Sequence, residues 1–230
     1  MSRLADSTWP EVEAGGLVLV PVGSVEQHGP HLPLDTDSAI ATAAAVAAAA
    51  RLGAQVTPPL CFGSSGEHQS FAGTVSMGTD ALHLVLVELA RSLRTWCGAV
   101  LFVNGHGGNL PAMNTAIKRL RTEGHAVSGV SCTTEGTDLH AGRTETSLML
   151  HLRPGEVRLE KAVAGDSRPL HEILPLMVAG GVSAVSTNGV LGDPAGASAA
   201  EGARVLEELV SRVIDAGLEL SDLTPESMPR

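Results

Sequence analysis

A chain of 230 residues, 43% of them hydrophobic, is long enough to bury a substantial core. Since only 2% of the residues are aromatic and tyrosine is absent, that core must be mainly aliphatic. The formal net charge of −10 argues against a nucleic-acid partner, because binding to phosphates depends on clustered lysine and arginine.

Short apolar runs alternate along the chain with longer periodic segments, a pattern typical of a mostly parallel sheet with helices on both faces. The predicted strands are residues 17–22, 55–60, 99–103 and 125–131. The predicted helices are residues 37–52, 79–96, 111–123, 143–152 and 198–218, with Gly53 and Gly124 ending the first and third. Residues 154–193, rich in Gly, Pro and Ser, indicate a surface excursion or a subunit contact. The sequence thus predicts a single α/β domain over residues 1–230, a three-layer α/β/α sandwich with a mostly parallel central sheet.

The cysteines and the apolar stretches indicate the cellular compartment of the protein. Cys61, Cys97 and Cys132 include no CxxC pair, which argues against a disulfide framework or a structural zinc site. Residues 1–16 lack the apolar region of a signal peptide, and the longest apolar stretch, residues 40–50, is too short to cross a bilayer. We therefore expect a cytoplasmic protein that does not contact a membrane.

Three polar loops follow predicted strands. The first strand continues into PVGSVEQHGPHLPLDTD, the third into NGHGGN and the fourth into TTEGTDLHAGRTETS. Open parallel sheets bind their ligands beyond the carboxyl ends of the strands, where such loops can meet. We therefore expect one site built from all three loops.

The first loop carries metal-ligand chemistry. Glu26 and His28 lie two residues apart, so in an extended segment their side chains point to the same side. A carboxylate and an imidazole presented together form half of a site for Zn²⁺, Fe²⁺ or Mn²⁺. Asp37, at the start of a predicted helix, is either an N-cap or a further ligand. A second aspartate, Asp35, beside other potential ligands favours ligation by Asp37.

His106 lies within NGHGGN, where glycine lets the backbone turn sharply and approach a ligand closely. The residues from Gly107 to Asn109 open the next predicted helix, whose amides can hold an anion or a developing oxyanion. Phosphate binding is the competing interpretation, but the spacing matches neither GxGxxG nor a P-loop.

The last loop offers two more candidates. Glu145 falls in the first turn of a predicted helix, where a carboxylate is favourable both on a surface and in a site. His140 is a candidate proton carrier, because imidazole titrates near neutrality. Among the remaining histidines, His31 and His68 lie in loops from which they can contact a substrate.

Four segments carry a resemblance to a known family. GSVEQHGPHLPLDTD, GSSGEHQSFAGTVS, NGHGGN and HAGRTETSLML occur in this order. They resemble the motifs of the creatininase family of metal-dependent amidohydrolases, over residues 17–152 and with most specificity in the first and third motifs. The resemblance implies the creatininase fold and a homo-oligomer.

A centre of two divalent metal ions (zinc, iron or manganese) is implied by the resemblance. Carried over by motif, Glu26, Asp37 and His106 would hold one ion. His28 and Asp37 would hold the second, so that Asp37 bridges the pair.

The chain departs from creatininase itself at one position. Creatininase has an acidic ligand two residues after the histidine of the third motif, where this chain has Gly108. We expect Glu145 to supply the missing ligand, and the departure argues against creatinine as the substrate.

The resemblance further implies attack on an amide by water that the metals activate. We expect His140 to relay a proton to the leaving amine. Glu67, His68 and Gly107 are expected to bind the substrate and its oxyanion. No Ser-His-Asp or Cys-His motif supports a covalent mechanism.

Three substrates or roles stay open. The segments HAGRTETS and LGDPAGASAAEG and the chain length resemble a peptidase branch of the family. That branch implies a modified ribosomal precursor peptide as substrate and release of a Val-Tyr-derived dipeptide from its C-terminus. A small cyclic amide or a formamide is the alternative substrate and predicts a closed pocket, whereas a peptide predicts an open groove. A non-catalytic metal-binding protein is the third interpretation.

Overall fold

The computed structural model describes residues 3–134 and 138–222. Residues 135–137, within the predicted loop after the fourth strand, lie outside the described residues. The strands are β1 (Leu17–Val22), β2 (Gln55–Val56), β3 (Ala99–Asn104) and β4 (Val127–Ser131). The helices are α1 (Thr36–Leu52), α2 (Thr79–Leu93), α3 (Leu110–Thr122), α4 (Arg143–Leu152), α5 (Leu170–Gly180) and α6 (Ala199–Asp222).

The four strands form one parallel sheet in the order β2-β1-β3-β4. The last residues of β1 and β3, Val22 and Asn104, pair with each other, and Asn104 also pairs with Ser131 at the end of β4. Parallel strands end at the same edge of a sheet, so the three polar loops begin side by side. This register confirms the predicted parallel sheet and brings the candidate residues to one edge.

Helices cover both faces of the sheet, which confirms the predicted α/β/α layers. Leu19 and Leu101 face a core shared with α1, α4 and α6, while Val20 and Phe102 face the core shared with α2 and α3. Every residue of β3 is buried, as expected for a central parallel strand covered on both sides. The alanines of α1 let this helix pack closely, since Ala44, Ala45, Ala48 and Ala49 are fully buried.

Four predicted elements differ from the structure by two or more residues at an end. The fourth strand begins at Val127 and not at residue 125, and the last helix ends at Asp222 and not at residue 218. The strand predicted at residues 55–60 stops at Val56, because Pro58 and Pro59 have no N–H to donate to a neighbouring strand. The helix predicted at residues 79–96 ends at Leu93.

Residues 154–193 contain a helix that the sequence interpretation missed. Helix α5 has Pro175 in its interior. Because an interior proline removes a helical hydrogen bond, the local sequence disfavours a helix there. The helix is held by tertiary packing instead: Ile173 is fully buried against Val182 and Leu191. Within the described part of the chain, no helix is both long and apolar enough to span a membrane.

Candidate metal centre

Asp37 lies at the centre of the candidate site. It is the second residue of α1, and the residue at the N-cap is Asp35, whose side chain makes no capping hydrogen bond. The carboxylate of Asp37 turns inward: Oδ1 lies 3.0 Å from Nε2 of His28, and Oδ2 lies 3.3 Å from Nδ1 of His106. The hydroxyl of Ser24 donates to Oδ2 at 2.6 Å. One carboxylate therefore faces two imidazoles that come from different strand ends.

Glu26 is a fully buried carboxylate surrounded by imidazoles. Its Oε2 lies 3.2 Å from Nε2 of His106, and its Oε1 lies 3.3 Å from Nε2 of His68 and 3.7 Å from Nδ1 of His140. Neither oxygen accepts a hydrogen bond of acceptable geometry from the described residues. A buried carboxylate without such bonds requires another source of positive charge.

Glu145 approaches the cluster from the first turn of α4. Its Oε2 accepts a hydrogen bond from the backbone N–H of Ala141 at 2.6 Å and lies 4.0 Å from Nε2 of His28. Ala141 has a φ of 52°, a left-handed conformation that side chains rarely adopt. Strain of this kind is concentrated at functional sites, and here it aims a backbone donor at Glu145.

Gly108 leaves no room for an acidic side chain. A Cβ built at this position would overlap Oε1 of Glu67, Nε2 of His106 and the carbonyl oxygen of Ser64. The carboxylate of Glu67 lies 3.4 Å from Nε2 of His106. The carboxylate of Glu67 thus occupies the space that a side chain at position 108 would take.

Opposing effects set the charge of the two buried carboxylates. Burial opposes ionisation of Asp37, but the imidazoles of His28 and His106 outweigh it and hold the pKa of this carboxyl well below its usual range. Burial and the charge of Asp37 oppose ionisation of Glu26, yet His106 and His68 lower its pKa to about 2. Two buried carboxylates therefore stay ionised.

The other groups of the site respond mainly to burial. Burial, together with the positive charge of His28, keeps the pKa of His140 well below its ordinary value. Burial likewise lowers the pKa of His68 to about 4 and raises that of Glu145 to about 7. Two neutral imidazoles thus stand beside the ionised carboxylates.

The donor set fits a divalent metal. Three groups of described residues offer one ligand atom each within 4.8 Å of one another: Glu26 with His68 and His140, His28 with His140 and Glu145, and Glu26 with His28 and Asp37. Imidazole and carboxylate are the ligands that Zn²⁺, Fe²⁺ and Mn²⁺ accept. A bound cation would account for the two oxygens of Glu26, which accept no hydrogen bond of acceptable geometry from the described residues.

A cavity of about 550 Å³ opens beside this cluster. Asp37, His106, His140 and Glu145 line one end of it. Apolar side chains of α5 also line it and form what we call its apolar wall: Leu170, Leu174, Met177 and Val178. Leu174 is 46% exposed and Val178 80%, so the apolar wall reaches the surface.

The sequence-predicted residues meet in this one place. Glu26, His28, Asp37, His106 and Glu145 surround the cluster, with contacts of 3.0–4.0 Å between neighbouring side chains. Glu67, His68, Gly107 and His140 line the cavity.

His31 does not follow its expectation. It is fully buried, pairs with Thr146 at 2.9 Å and does not line the cavity. The sequence interpretation also assigned no role to Gln27, because a neutral glutamine between a carboxylate and an imidazole carries no metal-ligand signal of its own, and it assigned none to the apolar wall of α5.

Comparison with known proteins decides the family. The family model for creatininase, described as creatinine amidohydrolase, matches residues 5–216. The chain belongs to the creatininase family. It is accordingly a hydrolase, and its α/β fold is that of creatininase.

Several relatives within the family have curated names. The mycofactocin precursor peptide peptidase of Mycobacterium ulcerans is 49% identical, over 89% of this chain and 83% of that protein. The protein of the same name from Mycolicibacterium smegmatis is 51% identical, over 86% of this chain and 83% of its own length. The creatinine amidohydrolase of Pseudomonas putida is 29% identical, over 93% of this chain and 95% of that protein.

Solved creatininases share the fold. A structure described as creatininase Mn has a TM-score of 0.77 and 28% identity, covering 94% of this chain and 97% of its own. A creatininase variant described as the Zn-Zn type also has a TM-score of 0.77 and 28% identity, covering 94% of this chain and 96% of its own. Members of this family therefore carry zinc or manganese.

Proposed function

We propose that this chain is a metal-dependent peptidase that acts on a modified ribosomal precursor peptide in mycofactocin biosynthesis. It would hydrolyse an amide bond near the C-terminus of that peptide and release a Val-Tyr-derived dipeptide. The observation that carries the chemistry is the carboxylate of Asp37, held between His28 and His106 beside the buried carboxylate of Glu26. The substrate is supported by the name of relatives that are about half identical to this chain.

Two metal ions per subunit fit the side chains. Glu26, Asp37 and His106 would hold one ion, since both carboxylates contact the same imidazole. His28, Asp37 and Glu145 would hold the other, with Asp37 shared. Such ions supply activation of water and polarisation of a carbonyl.

His140 is suited to carry a proton. Burial keeps its imidazole neutral, so Nδ1 can accept a proton from the attacking water. His140 also lines the cavity, so it can return that proton to the leaving amine.

The walls of the cavity position the substrate. Glu67 and His68 line it beside His106. Gly107 has open space where a Cβ would stand, so a substrate carbonyl can approach its backbone. These residues bind and orient the peptide, while the apolar wall of α5 takes up an apolar side chain.

The shape of the cavity supports a peptide over a small amide. A volume of about 550 Å³ with an apolar wall that reaches solvent suits a chain that enters from outside. A small cyclic amide or a formamide would leave most of this volume to water.

The decisive experiment offers three substrates to the same preparation. Purified protein of measured metal content is incubated separately with the modified precursor peptide, creatinine and a formamide, and the products are followed by mass spectrometry. Release of a C-terminal dipeptide is expected. Cleavage of only the small amides would contradict the peptide substrate, and no hydrolysis by fully metal-loaded protein would contradict the enzyme.

A further inference from the structure

The side-chain amide of Gln27 lies between two histidines of the candidate site. Gln27 is buried, and its Nε2 lies 2.8 Å from Nδ1 of His68, 3.0 Å from Nε2 of His140 and 3.0 Å from the carbonyl oxygen of Gly189. Gln27 lies between two proposed ligands in the first motif, but it is not itself proposed as a ligand. Its contacts point to a different task.

The orientation of this amide is determined by one backbone donor. The N–H of Gly29 donates to the side-chain oxygen of Gln27 at 2.8 Å. An NH₂ group in that place would set two donors against each other, so the oxygen must face Gly29. The NH₂ group therefore faces the two imidazoles.

The hydrogen on His140 follows from a second backbone contact. Nε2 of His140 lies 2.7 Å from the backbone carbonyl oxygen of Gln27, and a carbonyl oxygen can only accept. Nε2 of His140 must therefore carry the hydrogen, and its Nδ1, which lies 3.7 Å from Oε1 of Glu26, keeps a lone pair.

The two hydrogens of the Gln27 amide are then assigned. Gly189 contributes a carbonyl oxygen, which takes one of them. The other goes to Nδ1 of His68, since Nε2 of His140 already carries a hydrogen. A neutral ring that accepts at Nδ1 holds its own hydrogen at Nε2, and Nε2 of His68 lies 3.3 Å from Oε1 of Glu26.

We propose that Gln27 is a positioning residue that selects the tautomer of His68 through its side-chain amide and the tautomer of His140 through its backbone carbonyl oxygen. The side-chain amide keeps the hydrogen of His68 on Nε2, so that this nitrogen offers no lone pair to a metal ion. The backbone carbonyl oxygen of Gln27 keeps the hydrogen of His140 on Nε2, so that Nδ1 of His140 faces the cluster with a lone pair that can accept a proton. This catalytic consequence rests on the proposed hydrolase, whereas the tautomers themselves do not depend on a substrate.

Glutamine suits this position because the site needs a donor and an acceptor from one neutral group. A glutamate would offer two acceptors and no hydrogen for His68. The loop opposite also fits the amide closely, since a Cβ at Gly189, where φ is 81°, would overlap the side-chain oxygen of Gln27.

The first test is a spectrum of the wild-type protein. In zinc-loaded, ¹⁵N-labelled protein, long-range ¹H–¹⁵N correlations report which ring nitrogen carries the hydrogen, with His68→Gln and His140→Gln used for assignment. Both rings are expected to be protonated at Nε2. Protonation of either ring at Nδ1, or zinc bound to Nε2 of His68, would overturn the proposal.

The second test replaces the amide. In zinc-loaded Gln27→Glu, the hydrogen of His68 should move to Nδ1, while zinc content and the tautomer of His140 stay the same. Nε2 of His68 would then present a lone pair to the carboxylate of Glu26, so kcat should fall at least about tenfold, the lower end of the loss seen for outer-shell partners of a metal site. Gln69→Glu is the matched control: this exposed glutamine makes the same chemical change beside His68, but its amide contacts the carbonyl of Thr74. Both rings should be unchanged in the control.

Each outcome of these tests is informative. If Gln27→Glu does not fold, Gln27→Met removes the donor without adding charge and should give a mixture of His68 tautomers. An unchanged tautomer of His68 in either folded variant would contradict the proposal. If both tautomers are as predicted but the protein hydrolyses none of the substrates, the assignment of the tautomers stands and the proposed function is wrong.

Discussion

At the scale of single residues, Asp37 shows how a helix start can be used for chemistry. Carboxylates are favourable in the first turn of a helix, so the negative charge of Asp37 does not destabilise α1. Its side chain is therefore free to turn away from the helix amides toward His28 and His106. The same position supplies both helix stability and a candidate bridging ligand.

Replacing Asp37 should separate the site from the fold. In Asp37→Asn the side chain keeps its size but loses the charge that faces two imidazoles, so metal content should drop. Hydrolysis should fall more than about 100-fold, because even outer-shell partners of a metal cost about 10–100-fold. Metal analysis, circular dichroism and peptide turnover measure the three effects.

Asp35→Asn is the matched control for this change. Asp35 lies two residues earlier, is 45% exposed in its side chain and pairs with Arg153 at 2.8 Å. An exposed ion pair contributes little, so this variant should keep its metal and its activity. Full metal content and turnover in Asp37→Asn would rule out the bridging role.

A second prediction at this scale concerns the space around Gly108. In Gly108→Ala the new methyl group would overlap Glu67 and His106, so it should displace the side chains of the site and destabilise the protein by about 1–3 kcal/mol. Urea unfolding and metal content are the measurements. Gly66→Ala, where nothing lies within 4 Å of the added Cβ, is the control and should unfold like the wild type.

At the scale of elements, α5 supplies the apolar wall of the cavity. Its interior Pro175 weakens the helix, while the buried Ile173 attaches it to Val182 and Leu191. Leu170 and Leu174 face the cavity that leads to the cluster. This helix is thus the element that we expect to recognise the apolar part of a peptide.

Two leucines of α5 test this expectation against each other. Leu174 and Leu176 are both 46% exposed, but only Leu174 lines the cavity. Contact with a leucine side chain is worth about 1.5–3 kcal/mol, so Leu174→Asp should lower kcat/KM for the peptide about ten- to hundredfold. Leu176→Asp should change it little. Equal effects of the two substitutions in steady-state kinetics would show that α5 does not contact the substrate.

At the scale of the whole molecule, the parallel sheet gathers distant residues at one edge. Val22 pairs with Asn104 and Asn104 with Ser131, so three loops of different sequence leave the sheet together. The two buried carboxylates there repel each other, and a bound cation would offset that repulsion. Metal binding should therefore stabilise the entire fold.

Removal of metal should be visible in thermal unfolding. With zinc at about 100 times its dissociation constant, the stabilisation is about 2.7 kcal/mol, which for a chain of this size raises Tm by about 5–10 °C. Chelation should reverse the shift and zinc should restore it, as followed by calorimetry. The Asp37→Asn variant is the control and should show a much smaller response. An equal Tm with and without metal in the wild type would contradict the centre.

The sequence by itself determined the layers and much of the site. Periodicity and glycine caps predicted α1, β3 and α4 within one residue, because apolar faces and helix ends are local properties. The motif residues Glu26, His28, Asp37 and His106 could be named because carboxylates and imidazoles in short loops have few other uses.

Only the tertiary structure decided how these residues meet and what surrounds them. Helix α5 depends on packing of Ile173 that no local pattern shows, and Pro175 argued against it. The task of Gln27 depends on Gly189, which lies far along the chain. Both features rest on contacts between distant segments, and such contacts exist only once the chain has folded.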